Sequence, residues 1–349
     1  MRLEPRERVP LWLNIVAPVG AIALAFALCA LLILWAGAPI LPAYAALLKG
    51  AFGSTFAATE TMTRAAPLIF TGLAAAVAFR AKLWNIGGEG QLYAGALAAT
   101  YFGTGLVTLP PLLMVPFLFL VGAIAGGLLL LLPVILKLKL RVDEVVTTLL
   151  LNFIIILFAN YLLFGPWKDP LAMGWPQAAP IIDEGVLSPL IPRMRLHSGL
   201  IWAVAFAIFA WGFIRFSKWG FQIRAVGHNP EAAAFAGIPI GATVLRTALL
   251  SGGLAGMAGV GELAGLKGYL TLDISPGFGY TGIAVAMLAG LHPLGVIASA
   301  IFIAAIYNGA DAMSRAMSIS NYLADVLTAT ALLLVLASVL FVRFRPRLR

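Results

Sequence analysis

The sequence predicts an all-α fold, a polytopic transmembrane helical bundle of about ten spans, organised as a single membrane domain over residues 1–349. Three observations predict it. Of the 349 residues, 62% are hydrophobic and only 11% are charged, against about 25% charged in a water-soluble domain. Many separate apolar stretches reach the roughly 20 residues that cross a hydrocarbon core. The charges fall between those stretches rather than along them. The 36 glycines and 21 prolines are tolerable in spans that neighbouring helices repack, whereas a soluble helical core would suffer.

The spans fall at about 12–37, 62–80, 88–109, 111–136, 145–165, 199–216, 241–263, 280–291, 294–311 and 322–342. The first run is too long for a removed signal and lacks its small-residue cleavage pattern, so it reads as a retained span. The run at 280–291 is short, and short Gly-interrupted segments are where transporters break their helices. An even count brings both termini to one side. Arg2, Arg6 and Arg8 then share that side with four basic clusters: Arg80 with Lys82; Lys137 with Lys139 and Arg141; Arg215 with Lys218 and Arg224; and Arg343 with Arg345, Arg347 and Arg349. The positive-inside rule makes it the cytoplasm. The net charge of +9 is thereby explained by membrane orientation, and no nucleic-acid partner is expected.

Residues 166–198 form the longest polar interval, carrying Trp167, Lys168, Asp169, Asp183, Glu184, Arg193 and Arg195. Parity places this loop outside the cell, where it covers an entrance, receives a partner or simply connects two spans. Residues 39–61 form a second, partly amphipathic external stretch. Cys29, in the first run, is the only cysteine, so no intrachain disulfide or thiolate metal cluster is expected. His197, His228 and His292 lie in different loops with no metal-binding spacing among them. No Gly-rich loop ends in Gly-Lys-Ser or Gly-Lys-Thr, so the chain is read as a non-enzymatic subunit with no ATPase site and no cofactor of its own. Any energy for pumping comes from a partner or an ion gradient.

The interruption at 219–238, between the sixth and seventh spans, is too polar for lipid yet patterned as a compact helix. Asn229 caps exposed amides, Pro230 fits the first helical position, and Glu231 places negative charge at the positive end of the dipole. Ala232, Ala233, Ala234, Phe235 and Ala236 continue the helix; Gly237 supplies a left-handed stop, with Pro239 beyond it. A helix of about two turns is marginal alone, so packing must hold it. Its small residues permit close approach by another protein surface, with Arg224 available to a carboxylate there. A plain intracellular turn is the alternative.

Polar groups at bilayer depth are costly and mark pathways or helix ties. Asn85, Glu89 and Gln91 surround Gly87, Gly88 and Gly90, the pattern of a broken helix with exposed amides. They either bind a polar solute or stabilise the break. Asn152, in the fifth span, either meets solute or ties two helices. Glu262 and Lys267 sit near the outer end of the seventh span, and pair with each other or with a receptor. Gly252, Gly253, Gly256 and Gly259 have the small-residue spacing of close helix packing.

Four motifs occur in order. The first is Asn85-Ile86-Gly87-Gly88-Glu89-Gly90-Gln91. The second runs from Gly220-Phe221-Gln222-Ile223-Arg224-Ala225-Val226-Gly227 through Asn229-Pro230-Glu231-Ala232-Ala233 to Ala236-Gly237-Ile238. The third is Ser251-Gly252-Gly253-Leu254-Ala255-Gly256-Met257-Ala258-Gly259, and the fourth is Pro276-Gly277-Phe278-Gly279-Tyr280 with Gly282-Ile283-Ala284-Val285-Ala286 after it. Over roughly residues 60–342 the chain resembles the permeases of ATP-binding cassette importers, in the branched-chain amino acid, simple-sugar and nucleoside superfamily. Asn160-Tyr161, Gly165-Pro166-Trp167-Lys168-Asp169-Pro170 and the long loop after them are most similar to the nucleoside branch, which pairs with a lipoprotein receptor of the basic-membrane-protein type.

The resemblance implies a type II-like permease with broken helices in the bacterial inner membrane. It implies two membrane subunits, the second a copy or a related chain, two cytoplasmic ATPase subunits that bind ATP and Mg, and an external solute receptor. It makes 219–238 the coupling segment, with Gly220, Arg224, Gly227, Asn229, Pro230, Glu231, Ala232, Ala233 and Gly237 the ATPase-coupling residues. The translocation path is then expected along Asn85, Glu89, Gln91 and Asn152. Nucleoside uptake is the first expectation, ribose-like or galactose-like sugar uptake the second, and an ion-coupled secondary transporter the third.

Overall fold

The computed structural model describes residues 2–5, 11–320, 322, 325–326, 328–334, 337 and 344–347. It is an all-α membrane helical bundle. Besides the helices, a short antiparallel pairing joins β1 (Arg2–Pro5) to β2 (Phe344–Arg347). The helices are α1 (Leu11–Trp35), α2 (Ile40–Phe52), α3 (Thr55–Arg80), α4 (Gly88–Gly103), α5 (Pro111–Leu140), α6 (Glu144–Phe164), α7 (Gly199–Phe216), α8 (Lys218–His228), α9 (Pro230–Phe235), α10 (Ile240–Glu262), α11 (Phe278–Leu288) and α12 (Pro293–Met317). A π-helical turn, Leu263–Lys267, extends α10.

Among the described residues, six helices are long and apolar enough to cross a membrane, or seven if the bent pair α1–α2 counts as one span. The sequence expectation of about ten is thus not confirmed by the described residues. The 16 residues of α4 rise about 24 Å and the 11 of α11 about 16 Å, both short of a hydrocarbon core of about 30 Å. Of the predicted span at 322–342, the described residues 322, 325–326, 328–334 and 337 are helical, and the others lie outside the described residues. The stretch at 39–61, expected as a partly amphipathic external segment, is largely helical: α2 turns back from α1 by 117° at Gly37, whose φ is +78°, and α3 begins already at Thr55.

The chain divides into two compact units. The first comprises residues 1–61 and 301–349. Its apolar centre is Cys29, Ile33, Ala38, Ala43 and Met313. Asn308 ties it together, its amide nitrogen donating to the carbonyls of Gly50 (3.0 Å) and Ala57 (3.2 Å) and to the Thr61 hydroxyl (3.1 Å).

The second unit, residues 62–300, carries the features of functional interest. In it α3 and α10 are central, their most apolar stretches 89% and 72% buried, whereas those of α6 and α7 are only 22% and 28% buried. Helices α4, α5 and α10 meet backbone to backbone. A Cβ on Gly256 would overlap the Gly122 carbonyl of α5, and one on Gly95 would overlap the Gly256 carbonyl. The glycine run of α10 is thus used for close packing, as its spacing predicts.

The segment 166–198 is folded onto the ends of these helices. Its amides at Ala178, Ile181, Ile182 and Leu187 donate to the carbonyls of Leu270, Gly268, Gly103 and Ala264, at 2.8–3.0 Å. His197 is 2% exposed, accepts at Nδ1 from the Gly199 amide (3.2 Å), and packs where a side chain on Gly265 of the π turn would lie. Burial pushes the His197 pKa down from 6.5 to about 4. A depressed histidine pKa stabilises the fold above the unfolded value, and that contribution is lost as pH falls from 6.5 toward 4, on the order of 3 kcal/mol in all. The protection factors of the 185–199 amides, that is, exchange rates corrected for their intrinsic pH dependence, should therefore fall steeply between pH 6.5 and 4. A His197→Gln chain, lacking the titration, should show a flat profile over the same range.

Candidate functional site

The four polar residues predicted along a path meet at one place. Helix α3 ends at Arg80, and Lys82 adopts a left-handed φ of +54° that stops it. The chain then crosses an irregular break to α4. Within this break the Asn85 side-chain nitrogen donates to Gln91 Oε1 (2.9 Å) and Ser251 Oγ (3.0 Å). The Asn85 oxygen accepts from Gln91 Nε2 (2.8 Å) and the Gly87 amide (2.9 Å). Ser251 donates onward to the Ala74 carbonyl of α3 at 2.7 Å. Asn152 of α6 accepts from the Gly90 amide (2.8 Å) and donates to the Ile86 carbonyl (3.0 Å) and the Tyr280 hydroxyl (3.2 Å).

Glu89 faces the start of α11. Its carboxylate accepts from the Gly279 amide (2.7 Å) and from the Ser275 hydroxyl. A carboxylate at the amino end of a helix satisfies its orphan amides and complements its dipole, so α4 caps α11. Gly279 permits this approach, since a Cβ there would overlap the Glu89 amide nitrogen. Asn85, Glu89, Gln91 and Asn152 are all 0–3% exposed. In this conformation they form a closed junction joining α3, α4, α6, α10 and α11, with each polar group engaged.

Two members of the junction, Ser251 and Tyr280, are not evident from the sequence. Ser251 stands in the glycine run of α10 and is legible only as part of a packing motif. Nor does the sequence disclose the contact of the break with the start of α6: the Trp84 amide donates to Glu144 (3.4 Å) and the Ile86 amide to Thr148 (3.3 Å). Glu144 pairs in addition with Lys137.

The second predicted element lies between α7 and α10. It is two helices rather than the single one expected. Ser217 caps α8 by accepting from the Gly220 amide at 2.9 Å. Asn229 then caps α9, its oxygen accepting from the Ala232 amide at 3.1 Å. Pro230 takes the first helical position. The amides of Gly237 (φ +77°) and Ile238 close the helix on the Ala234 and Ala233 carbonyls. Ala233 is buried, while Glu231, Ala232 and Ala234 are exposed. Arg224 is half-buried and reaches back to the Arg215 carbonyl at 3.5 Å.

Gly220 and Gly227 have packing roles. A Cβ on Gly220 would strike the carbonyls at the end of α7, and one on Gly227 would overlap the carbonyl oxygen of Arg80. Helix α8 is thus seated directly on the end of α3. The exposed side carries aromatic side chains that no sequence pattern singles out: Phe235 is 97% exposed and Phe221 57%.

Comparison with known proteins identifies this arrangement. The family described as the branched-chain amino acid transport system permease component matches residues 57–336. The chain belongs to that family. The glucose ABC transporter permease protein TsgB13 of Haloferax volcanii is 33% identical over 99% of this chain and 93% of its own length. The guanosine ABC transporter permease protein NupP of Bacillus subtilis is 34% identical over 93% of this chain and 94% of its own. The nucleoside ABC transporter permease protein NupB of Lactococcus lactis is 32% identical over 86% and 85%. No solved structure matches the chain. Both the buried junction and α8–α9 of this permease lie within the matched span.

Proposed function

We propose that this chain is the membrane permease subunit of an ATP-driven importer that moves nucleosides from an external binding protein into the cytoplasm. The observation that carries the reading is α8–α9, a rigidly capped pair of short helices between two spans that exposes Phe221, Glu231 and Phe235. Large exposed aromatics on a well-held element are typical anchors of a protein interface. The natural occupant is a cytoplasmic ATPase subunit that binds ATP and Mg. The chain itself supplies no ATPase site, works beside a second permease subunit, and has both termini in the cytoplasm of a bacterial inner membrane. The pairing of β1 with β2 supports a common side for the two ends.

The junction at Asn85, Glu89, Gln91 and Asn152 is proposed as the wall of the path that rearranges when the outer and inner openings alternate. Two of the three relatives above are named for guanosine or nucleosides, which supports that solute class. A glucose-type solute is the second reading, favoured by the likeness to the glucose permease protein over nearly the whole chain.

The test is reconstitution of the complex with its ATPase subunits and binding protein, and then ATPase measurement against guanosine, other nucleosides, glucose and ribose. Stimulation by nucleosides alone supports the reading. Stimulation by glucose alone replaces it with the second, and solute uptake independent of ATP overturns both. Phe235→Ala is expected to weaken retention of the ATPase subunits by about 30-fold, the scale of one aromatic anchor. Glu231→Lys should lower solute-stimulated ATPase while leaving affinity for the external receptor unchanged.

A further inference from the structure

We propose that Arg80 is the positioning residue through which movement of α8 reaches the transmembrane bundle; this rests on the reading of α8–α9 as the site of ATPase docking. Arg80 is the last residue of α3, and it meets two other elements at once. Its carbonyl oxygen lies against Gly227, where no Cβ fits. Its guanidinium Nε donates to the Leu291 carbonyl at 2.9 Å. Leu291, with a left-handed φ of +62°, forms the tight turn between α11 and α12. Arg80 therefore links the exposed element to the helix whose opposite end Glu89 caps.

The chain leaving Arg80 is also the break itself. It leads directly to Gly87 and the junction of Asn85 with Gln91 and Ser251. A displacement of α8 has two routes inward from one residue. One passes along the main chain into the α3–α4 break, and the other through the guanidinium to the α11–α12 turn. Contact by backbone oxygen with no intervening side chain leaves little slack, because close-packed main chain transmits displacement rather than absorbing it. The planar, multi-donor guanidinium holds the turn carbonyl with a fixed geometry that an ammonium lacks.

The experiment uses the reconstituted complex of permease, ATPase subunits and binding protein, with guanosine as the probe solute. Arg80→Ala is expected to reduce the guanosine-stimulated part of the ATPase rate by about tenfold, the usual scale of a coupling interaction. ATPase subunits should remain bound as in the unaltered complex. Arg80→Lys should recover only part of the stimulation. Gly227→Ala, which forces α8 off Arg80, should give a similar loss, and the double variant should be no worse than the more severe single one. Stimulation by guanosine undiminished in Arg80→Ala overturns the proposal, as does additive loss in the double variant. Loss of bound ATPase subunits from Arg80→Ala also overturns it, since the residue would then only shape the docking face. Should Arg80→Ala fail to fold, Arg80→Lys and Arg80→Gln carry the same measurement. Phe235→Ala separates this result from the underlying reading: if that variant keeps its ATPase subunits, docking at α9 fails, whatever Arg80 does.

Discussion

Replacing Gly256 with leucine is expected to leave no folded permease. A single Cβ at this position already overlaps the Gly122 carbonyl, and the neighbouring contact, Gly95 against the Gly256 carbonyl, is equally close. Main chain lies on both sides, so no flexible side chain can move away. Overpacking of a core costs about 1–3 kcal/mol where neighbours can adjust; here the three central helices must separate, and more than about 4 kcal/mol is expected. Size-exclusion chromatography of the detergent-solubilised chain should show the monodisperse peak lost. Gly256→Ala should be milder and still destabilising. Gly212→Ala on the little-buried α7, where a Cβ meets nothing within 4 Å, should behave as the unaltered chain.

Asn85→Leu should abolish transport and lower stability. Its side chain occupies four hydrogen bonds, two as donor and two as acceptor. Leucine would strand the Gln91 amide and the Gly87 amide in a site from which water is excluded, at about 1–3 kcal/mol for each unpaired group. The loss should total about 3–5 kcal/mol, read from the thermal unfolding of the purified chain. Asn85→Asp retains the two acceptor contacts but gives up the donor ones and adds charge, so it should fall between. Wild-type stability in Asn85→Leu would show that the junction is not held by this residue.

Much of the fold is legible along the chain, for a definite physical reason. Helices α3, α5, α6, α7, α10 and α12 each carry an apolar run near bilayer length, and lipid leaves no other option for such a run. The count is left unconfirmed where that logic stops applying. Helix α4 is mostly enclosed by protein, with 12 of its 16 residues buried, and α11 is a half-length helix capped by Glu89. Burial by neighbours and burial by lipid select the same residues, so composition cannot tell them apart. The bend between Trp35 and Ile40 is marked locally by Gly37 and Pro39, but no local pattern encodes the fit of α2 back onto its unit.

The site divides in the same way. The cap of α9 is readable because Asn229, Pro230 and Gly237 act within a few residues of one another. Asn85, Glu89 and Gln91 stand out because charge and amide groups among glycines are rare at bilayer depth. Their partners do not: Ser251 is 166 residues away from Asn85 and Gly279 is 190 from Glu89. The seat of α8 on Arg80 is invisible in the sequence for a related reason, since Gly227 acts by what it lacks.

In the proposed function, force enters the membrane subunit at α8–α9 from the cytoplasmic side. Cys29 is the only cysteine, so a Cys29→Ser chain carrying Phe235→Cys presents one thiol at the tip of α9. In the intact complex a short thiol-to-amine cross-linker should join this thiol to an ATPase subunit, and a membrane-impermeant maleimide added to whole cells should leave it unlabelled. Labelling from outside the cell, or the absence of any adduct with the ATPase in a complex that still transports, would contradict the account.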